Sequence, residues 1–504
     1  MSTGLSLSAS AQTVLSRLGG AVRSFVGDSF VDAGEGTVRE LVNPATEEVI
    51  GVVKQADGSV VDLAVRAASA AQRDWWRLSP AARGERLWKL AELVERDARE
   101  LGLLDTLNIG KPVRDSISAA AAAAGIVRYW AGKCDKIWGD HIPTAPGHLT
   151  YTSRAPLGVV GAIIPWNGPT QSAVGRIAVA LGCGNAIVLK PSEYSPLSAL
   201  RLAELCLEAG LPGGLVNVVA GGGDVGAAIT EHPGIGGITF IGSIPNGRRV
   251  NLAAAASMKK VTLELGGKTP SIVFADADLD EALHGVAWGV FSNTGQVCVA
   301  GTRLLVQRSV AEEFTERLSA LAGSIRVGMP DEDVHLGPVA NAAQYEKVRS
   351  YLEVGRQEGA RLRVGGGRPE AVGEAGYFVA PAIFTEVENG MRISQEEIFG
   401  PVLSVLTFEG EEEALRLAND VEYGLSAIVW TSDTGTMLRM AEGLEAGNVW
   451  GNTARLITPS MPFGGVKNSG LGNGQGEPAV EGNTQVKRVS IRFSTGPGSR
   501  FAGI

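Results

Sequence analysis

From residue 157 onward, short apolar runs alternate with segments long enough to form a helix. Glycine and proline residues mark the boundaries of the runs, which read VVGAII, AIVLK, VNVV, ITFI, VTLE and SIVF. Apolar runs in this alternation favour a parallel sheet covered by helices. The same alternation is found again after residue 265, with strands expected at 303–306, 402–406 and 427–430. We therefore expect two α/β lobes.

Two segments fall outside this rhythm, and we expect them to form a small separate sheet. Residues 139–155 are rich in glycine, proline, threonine and tyrosine, and residues 484–493 read TQVKRVSIRF. Helices are expected earlier in the chain because apolar residues recur there at helical spacing. These expected helices cover 60–76, 80–101 and 115–131. The last residues, 494–504, read as a mobile tail.

Length and charge limit the classes of protein to which this chain can belong. A chain of 504 residues exceeds the size at which a single hydrophobic core usually stops growing, so two or more domains are expected. The net charge of −9 and the scattered basic residues argue against a nucleic-acid partner. No signal peptide or membrane-spanning segment is recognisable, which predicts a cytoplasmic protein with no membrane partner.

The four cysteines must be considered individually, because they show neither CxxC spacing nor clustering with the five histidines. This pattern predicts no metal site. A lone cysteine is usually a small buried apolar residue, which is what we expect of Cys134, Cys183 and Cys206. Cys298 differs because it lies in SNTGQVCVAGTR, beside glycines that let the backbone approach a ligand.

Two glycine-containing turns follow expected strands and are candidates for phosphate binding. Gly221 to Gly226 match the spacing GxGxxG, although a purely structural turn explains this match equally well. Gly242 to Gly247 also follow a strand, and Pro245 suits the first turn of a helix whose free N–H groups would face an anion. We therefore expect the second turn to bind a pyrophosphate.

Two carboxylates follow apolar strands, at positions where open α/β sheets bind ligands. Glu193, in Lys190-Pro191-Ser192-Glu193, could accept hydrogen bonds from both hydroxyls of a ribose and would repel a 2′-phosphate. A solvated charged loop is the alternative. Glu264, in VTLELGGK, suits a general base, because a partly desolvated carboxylate has a raised pKa. A glutamate that simply caps a helix explains this position equally well.

Taken together, these stretches resemble the NAD(P)-dependent aldehyde dehydrogenase superfamily, in order from about residue 40 to residue 487. The motifs that carry the resemblance lie at 165–167, 190–193, 241–243, 264–268, 295–303, 396–401 and 462–470. They read PWN, KPSE, IGS, ELGGK, GQVCVAGTR, EEIFGP and PFGGVKNSG. The resemblance implies an enzyme that oxidises an aldehyde to a carboxylic acid with NAD, with NADP as the alternative cofactor.

The resemblance also implies roles for individual residues. Cys298 would be the nucleophile that forms a thiohemiacetal and then a thioester. The side-chain amide of Asn167 and the backbone N–H of Cys298 would form an oxyanion hole, and Glu264 would activate the water that hydrolyses the thioester. A second set of residues would contact the cofactor: Ile163, Pro165, Trp166, Lys190, Ser192, Glu193, Gly223, Gly242, Ser243, Leu265, Glu397 and Phe399.

The fold implied by the resemblance is a Rossmann-like NAD-binding lobe, an α/β catalytic lobe and a small β oligomerisation arm. The NAD-binding lobe would comprise 1–138 and 156–264, and the catalytic lobe 265–483. The arm would comprise 139–155 and 484–493. This arrangement implies a homodimer or a homotetramer.

The sequence departs from the usual family pattern around the expected substrate entrance. Gly168 stands where phenylalanine is common, and small or polar residues follow where many relatives are bulky. The residues expected to line this pocket are Gly168, Gln171, Ser172, Gly175, Ile457 and Phe463. These substitutions favour a bulky or hydroxylated aldehyde as the substrate.

Two other functions remain as alternatives. A CoA-acylating semialdehyde dehydrogenase would pass the thioester to CoA, although relatives of that kind generally lack the carboxylate at Glu264. A non-catalytic structural relative would have lost its nucleophile or its oxyanion donor, whereas this chain has both Cys298 and Asn167.

Overall fold

The structure of the protein is a computed structural model that describes residues 21–493. The tail expected at 494–504 therefore lies outside the described residues. The strands are β1 Ser24–Val26, β2 Ser29–Val31, β3 Val38–Val42, β4 Val49–Lys54, β5 His141–Ile142, β6 His148–Pro156, β7 Val159–Ile163, β8 Ala186–Lys190, β9 Val216–Val218, β10 Gly237–Ile241, β11 Lys260–Glu264, β12 Pro270–Val273, β13 Arg303–Gln307, β14 Arg361–Val364, β15 Ala382–Thr385, β16 Val402–Phe408, β17 Tyr423–Gly424, β18 Ser426–Trp430, β19 Asn448–Gly451, β20 Val466–Lys467, β21 Gly470–Leu471 and β22 Thr484–Arg492. The α-helices are α1 Gly58–Arg77, α2 Pro80–Arg96, α3 Ala98–Ile109, α4 Val113–Lys133, α5 Pro169–Gly182, α6 Leu197–Glu208, α7 Gly223–Glu231, α8 Ile244–Ala255, α9 Leu279–Phe291, α10 Ala311–Ser324, α11 Ala342–Gln357, α12 Arg392–Gln395, α13 Glu411–Asn419, α14 Thr434–Gly443 and α15 Pro478–Asn483.

Five of the six early apolar runs form strands of an eight-stranded sheet, which we call the first sheet, whereas the sixth, SIVF, falls mainly in β12 of another sheet. The strand order of the first sheet is β2-β1-β9-β8-β7-β10-β11-β21, and the five strands from β9 to β11 are parallel. Strands β7 and β8 are buried along their whole length, which explains why their sequences are continuously apolar. Parallel pairing places the carboxyl ends of β7, β8, β10 and β11 at one edge of the sheet.

The later apolar runs form a seven-stranded sheet, which we call the second sheet. Its order is β14-β15-β16-β13-β12-β18-β19, and all neighbours from β15 to β19 are parallel. The strands expected at 303–306, 402–406 and 427–430 are β13, β16 and β18. The prediction of two α/β units built on parallel sheets is therefore confirmed.

The two segments outside the alternating rhythm pair with each other. Strands β6 and β22 are antiparallel, with a register that runs from Thr484 opposite Pro156 to Arg492 opposite His148. The short strand β5 adds to the other edge of β6. These three strands form a sheet of their own, as the sequence predicted.

A late strand of the chain belongs to the first sheet. Strand β21 pairs antiparallel with β11 and places Gly470 opposite Glu264. Ser469, the residue before β21, accepts a hydrogen bond from the Leu265 N–H at 2.8 Å through its carbonyl. Its hydroxyl donates to the Gly266 carbonyl at 2.7 Å. The end of β11 is therefore held by a segment that follows it by about 200 residues.

One helix prediction was wrong, because the segment expected as a single helix at 80–101 is two helices. Helix α2 ends at Arg96, Asp97 has φ −95° and ψ 13°, and α3 begins at Ala98. The Asp97 carboxylate accepts a hydrogen bond from Arg201 of α6 at 2.6 Å. This tertiary contact fixes the bend, and the apolar spacing of the sequence carries no sign of it.

None of the helices within residues 21–493 combines the length and the apolar character that a membrane-spanning helix requires.

Candidate active site

A cavity of about 170 Å³ lies where strands of the first sheet end and the second half of the chain approaches them. Many of the predicted catalytic and cofactor residues line it together. The lining residues are Pro165, Trp166, Asn167, Ile241, Gly242, Ser243, Glu264, Leu265, Gly266, Cys298, Gln344, Lys347, Glu397 and Phe399. Sequence reasoning missed Gln344 and Lys347, which lie on helix α11 in a stretch without a recognisable motif.

Cys298 follows a tight turn that requires a glycine at position 295. The turn spans Ser292–Gly295, and Gly295 has a φ of +69°. A Cβ atom on Gly295 would lie 2.1 Å from the Gly400 carbonyl oxygen, so no side chain fits there. Cys298 is partly exposed, whereas the other three cysteines are buried, as the sequence predicted.

The surroundings of Cys298 favour the neutral thiol over the thiolate. Burial raises its pKa, and the negative charges of Glu264 and Glu397 raise it further, to about 12. The backbone N–H groups of Cys298 and Val299 oppose this effect only in part. The thiol is therefore protonated at neutral pH unless a positive charge enters the cavity.

Asn167 is fixed relative to the cysteine turn by hydrogen bonds. Its Nδ2 atom donates to the Gln296 carbonyl at 2.8 Å. The Asn293 side chain donates to the Asn167 carbonyl at 3.1 Å and so ties the two segments together. Because a carboxamide nitrogen carries two hydrogens, one N–H of Asn167 is left to donate to a ligand.

Glu264 forms a buried ion pair that was not predicted. Arg176 of helix α5 donates to Glu264 Oε1 at 2.8 Å, and both side chains are less than 10% exposed. Arg176 also donates to the Gly474 carbonyl at 3.2 Å. A Cβ atom on Gly474 would lie 1.6 Å from Glu264 Oε1. A charged residue within the largely apolar helix α5 was the one sequence signal for this pair.

Glu397 and Phe399 form the wall of the cavity opposite the first sheet. Glu397 accepts a hydrogen bond from the Gly267 N–H at 3.0 Å, and burial raises the pKa of its carboxyl group. A Cβ atom on Gly266 would lie 2.4 Å from the Glu397 carboxylate, so the Gly-Gly turn after β11 leaves room for it. The rings of Phe399 and Trp166 meet edge to face, with centroids 5.3 Å apart.

Of the two glycine-containing turns, the second lies at this cavity. Gly242 and Ser243 line it, and Ser243 is the residue before helix α8. Pro245 occupies the first turn of α8, and no side chain caps the first N–H groups of this helix. A twelve-residue helix with uncapped N–H groups at a cavity fits a pyrophosphate anion.

The first of the two glycine-containing turns, Gly221 to Gly226, lies instead beside Lys190 and Glu193. The Lys190 ammonium donates to the Pro191 and Gly221 carbonyls, at 3.0 and 2.9 Å. Burial lowers the pKa of Lys190. A Cβ atom on Gly222 would lie 3.9 Å from the Glu193 carboxylate, and Gly223 begins helix α7. This cluster adjoins the cavity because Lys190 pairs with Ile163 at the ends of β8 and β7.

Arg39 of strand β3 was not predicted as a site residue, but its side chain reaches the cluster formed by Lys190 and Glu193. Its guanidinium lies 4.3 Å from the Tyr194 ring centroid, and its Nη1 lies 3.6 Å from Glu193 Oε1. Ser192 is buried and accepts a hydrogen bond from the Tyr194 N–H. Ile163 is also buried and packs with the apolar residues beneath the cavity rather than lining it.

Three of the six expected substrate-pocket residues lie on helix α5, which follows Asn167 closely, and none of the six lines the cavity. Gly168 precedes the helix, and a Cβ atom there would meet only the Ser172 hydroxyl, at 3.9 Å. A Cβ atom on Gly175 would meet nothing within 4 Å, and Gln171 is exposed. Ile457 is also exposed, whereas Phe463 is buried in the core of the second half.

Residues 21–493 contain no group of three or more histidine, cysteine, aspartate or glutamate side chains placed to hold a metal ion.

The similarity of this chain to known proteins extends over almost its whole length. A betaine aldehyde dehydrogenase from Rhizobium etli is 45% identical over 470 residues, which are 93% of this chain and 96% of that protein. The structure of HpcC from Thermus thermophilus matches with a TM-score of 0.95 and 38% identity, covering 99% of this chain and 100% of that one. The NAD+ complex of an aldehyde dehydrogenase from Bacillus cereus matches with a TM-score of 0.93 and 41% identity, covering 96% and 99%. The family model for the aldehyde dehydrogenase family matches residues 30–489, and the chain belongs to this family.

Proposed function

We propose that this protein oxidises a small-molecule aldehyde to the carboxylic acid through a thioester on Cys298, with NAD as the cofactor. The observation that carries the proposal is that Cys298, Asn167 and Glu264 line one cavity. A nucleophile, an oxyanion donor and a carboxylate base are the groups that acyl transfer to water requires.

In the proposed mechanism, the Cys298 thiol releases its proton to solvent, and the thiolate sulfur attacks the aldehyde carbon to form a thiohemiacetal. The free N–H of Asn167 and the backbone N–H of Cys298 stabilise the negative oxygen, and a donor of this kind typically contributes a factor of about 10²–10³. Loss of hydride leaves a thioester on the sulfur. Glu264 then takes a proton from water, the water oxygen attacks the thioester carbon, and the Cys298 sulfur departs with the bonding electrons.

A dinucleotide fits the residues around the cavity. Glu193 would accept hydrogen bonds from the adenosine ribose, Ser243 and Trp166 would contact the pyrophosphate, and Glu397 and Phe399 would hold the nicotinamide ribose. When bound, oxidised nicotinamide supplies the hydride acceptor and a positive charge. The NAD+ complex of the Bacillus cereus relative supports NAD as the cofactor.

The choice between NAD and NADP depends on the cluster around Glu193. This carboxylate would repel a 2′-phosphate, which favours NAD. Arg39 lies 3.6 Å from Glu193 and Lys190 lies 3.9 Å from it, so two cations partly offset the repulsion. NADP therefore remains the alternative cofactor.

A bulky or hydroxylated aldehyde is the proposed class of substrate. Support comes from the open space around Gly168 and Gly175, where a Cβ atom would meet one atom or none within 4 Å. The exposed Gln171 and the hydroxyl of Ser172 make the same surface polar. Short unbranched alkanals would leave this space unfilled.

The proposed division of the chain is the one implied by the resemblance, with a cofactor lobe on the first sheet and a catalytic lobe on the second. The three-stranded sheet of β5, β6 and β22 is the proposed oligomerisation arm of a homodimer or homotetramer. Support for the arm comes from β22, which is exposed along most of its length.

The proposal is tested by following NADH formation with a panel of aldehydes. Cys298→Ala is expected to abolish NADH formation while NAD binding, measured by fluorescence quenching, is retained. Glu264→Gln is expected to release about one NADH per active site in a burst and then stop, because the thioester is not hydrolysed. Wild-type activity is expected to need no CoA.

Two results would contradict the mechanism in different ways. A strict requirement for CoA would favour the CoA-acylating alternative over hydrolysis. Full NADH formation by Cys298→Ala, or a wild-type protein that binds NAD but oxidises no aldehyde, would favour a non-catalytic relative.

A further inference from the structure

Arg455 places a guanidinium group against the turn that leads to Cys298, and none of the ion pairs among residues 21–493 includes it. Its Cζ lies 3.7 Å from the ring centroid of Trp288, and its Nη2 donates to the Ser292 hydroxyl at 2.5 Å. Its Nε is buried and has no hydrogen-bond partner. Among residues 21–493, no aspartate or glutamate oxygen lies within 4.0 Å of this guanidinium.

The position of Arg455 links it to the proposed nucleophile. Trp288 lies on helix α9, and Ser292 begins the tight turn that leads to Cys298. Asn293, the next residue of that turn, donates to the carbonyl of Asn167. The charge of Arg455 is also felt at Cys298, since the two groups interact electrostatically. Arg455 therefore lies against the segment that holds both the sulfur and the oxyanion donor.

The backbone of Arg455 is in an uncommon conformation for a residue with a side chain. Its φ is +57°, in the left-handed region that usually favours glycine or asparagine. The stacking on Trp288 and the bond to Ser292 hold it there. Strain of this kind persists where the surrounding structure requires a particular side-chain position, and it is frequent at binding sites.

Arg455 is one of two cations in this region. Lys111, which follows α3, is a second cation that interacts with it, and burial lowers the pKa of both groups, that of Arg455 to about 10. Asp105 and Asp115 interact with Lys111, but neither pairs with Arg455. Glu264 is already paired with Arg176.

A partly buried guanidinium with no anion is costly, because cations in proteins are rarely removed from water without a partner. The planar guanidinium matches a carboxylate, to which it can donate two parallel hydrogen bonds. The free N–H groups of the terminal nitrogens are the donors that such a ligand would use, since the Nε atom is buried.

We propose that Arg455 binds a carboxylate of the substrate, so that the preferred aldehydes carry a second, anionic group at the end remote from the reacting carbon. This inference rests on the proposed function and narrows its polar substrate class. It also separates this chain from its Rhizobium etli relative, whose name gives betaine aldehyde, a cationic compound. Arg455 and Lys111 would repel a substrate of that charge.

The test compares three aldehydes of similar size that differ in charge. These are 4-oxobutanoate, its neutral methyl ester, and betaine aldehyde. The wild-type protein is expected to show a kcat/KM for 4-oxobutanoate about 10–100 times that for the ester, as charge-assisted hydrogen bonds predict. Betaine aldehyde is expected to be the poorest of the three substrates.

Substitution of Arg455 gives the second part of the test. Arg455→Gln is expected to remove the preference, so that kcat/KM for 4-oxobutanoate falls to that for the methyl ester, mainly through a higher KM. Arg455→Lys is expected to keep part of the preference, because the charge remains and the paired hydrogen bonds do not. Arg349→Gln is the matched control, since Arg349 also stacks on an aromatic ring, that of Tyr345, but on the exposed face of helix α11.

A binding measurement separates failure of this inference from failure of the proposed function. Succinate, the dicarboxylate product of 4-oxobutanoate, is expected to slow alkylation of Cys298 by iodoacetamide in the wild-type protein and not in Arg455→Gln. Equal protection in both proteins, or an ester that is oxidised as efficiently as the acid, would overturn the role of Arg455 alone. Absence of NADH formation with these three aldehydes and with the whole aldehyde panel would instead overturn the proposed function, and the succinate measurement would still decide whether Arg455 binds a carboxylate.

Discussion

At the residue scale, the proposed base Glu264 is held by partners from distant parts of the chain. Arg176 binds one carboxylate oxygen, and the backbone of Gly474 passes so close that a side chain there has no space. Breaking one partner of a buried pair usually destabilises a protein, because the other charge is left without compensation. The ion pair therefore fixes the Glu264 carboxylate in position.

Gly474→Ala is expected to displace the Glu264 carboxylate, because the new methyl group would lie 1.6 Å from Oε1. The steric cost is about 1–3 kcal/mol, as for other overpacked sites. Steady-state kcat is expected to fall at least about tenfold, while a rapid burst of NADH is retained because thioester formation does not use Glu264. Stopped-flow absorbance would resolve the burst from the slow phase.

The control for this substitution is Gly323→Ala on helix α10, where a Cβ atom would meet nothing within 4 Å. This variant is expected to keep the kinetics and the thermal stability of the wild-type protein. A Gly474→Ala protein that turned over normally would show that the position of Glu264 does not limit hydrolysis.

How far sequence could predict the site depends on whether its residues lie in contiguous motifs. Cys298, Asn167 and Glu264 could be named because each lies in a specific short motif, and the structure places all three at one cavity. Arg176 and Gly474 could not be named, because their importance arises from contacts between segments far apart in the sequence. The same reason applies to Arg455, whose only sequence context is a loop.

At the scale of elements, the strand pair β6 and β22 stands apart from the two large sheets. Residues of β22 are exposed on both faces of this small sheet, including Val486, which is 61% exposed. Its outer edge has no neighbouring strand among the described residues. Exposed strand edges with apolar residues are common sites of association between subunits.

Val486→Glu is expected to weaken subunit association, because a charge would be placed within the proposed contact surface. The measurement is the molar mass in solution by light scattering after size-exclusion chromatography, over a range of protein concentrations. A shift to smaller species at low concentration is the expected result.

Val38→Glu provides the matched control for the arm. Val38 is 63% exposed on strand β3, which pairs only with β4 among the described strands, so it offers a similar change on a different surface. The control is expected to leave the molar mass unchanged. If Val486→Glu also left it unchanged, the small sheet would have no role in association.

Elements were predicted well where burial alone determined the pattern. Central strands such as β7, β8 and β18 are buried along their whole length and therefore appear in the sequence as largely apolar runs. The break between α2 and α3 was missed, since it depends on the contact between Asp97 and Arg201 rather than on local spacing. Strand β21 was also invisible, because a two-residue strand has no pattern of its own.

At the scale of the whole molecule, the cavity is lined by residues from both halves of the chain. Trp166 follows β7 of the first sheet and contacts Phe399, which precedes β16 of the second sheet. A dinucleotide bound as proposed would contact both halves at once. Ligands that bind only the native state stabilise it against unfolding.

NAD is therefore expected to raise the unfolding temperature of the whole protein in a single transition. At a concentration of about 100 times Kd, the added stability is roughly 2.7 kcal/mol. Glu397→Gln is expected to reduce the NAD-induced shift, because the proposed contact with the nicotinamide ribose is lost. Differential scanning calorimetry with and without NAD measures both effects.

Glu353→Gln is the control, since Glu353 is an exposed glutamate on helix α11 that contacts only neighbours on that helix. Its NAD-induced shift is expected to equal that of the wild-type protein. An equally large shift in Glu397→Gln would show that this carboxylate does not hold the cofactor.

Strand β21 is synthesised long after β11, the strand with which it pairs in the first sheet. Strand β11 leaves the ribosome with Glu264, but its neighbour β21 begins at Gly470. At typical rates of synthesis, the interval between them is roughly 10–40 s. During that time the nascent chain has an open β11 edge, which is a template for unwanted strand pairing. A chaperone that covers this edge would protect the unfinished protein until β21 has emerged.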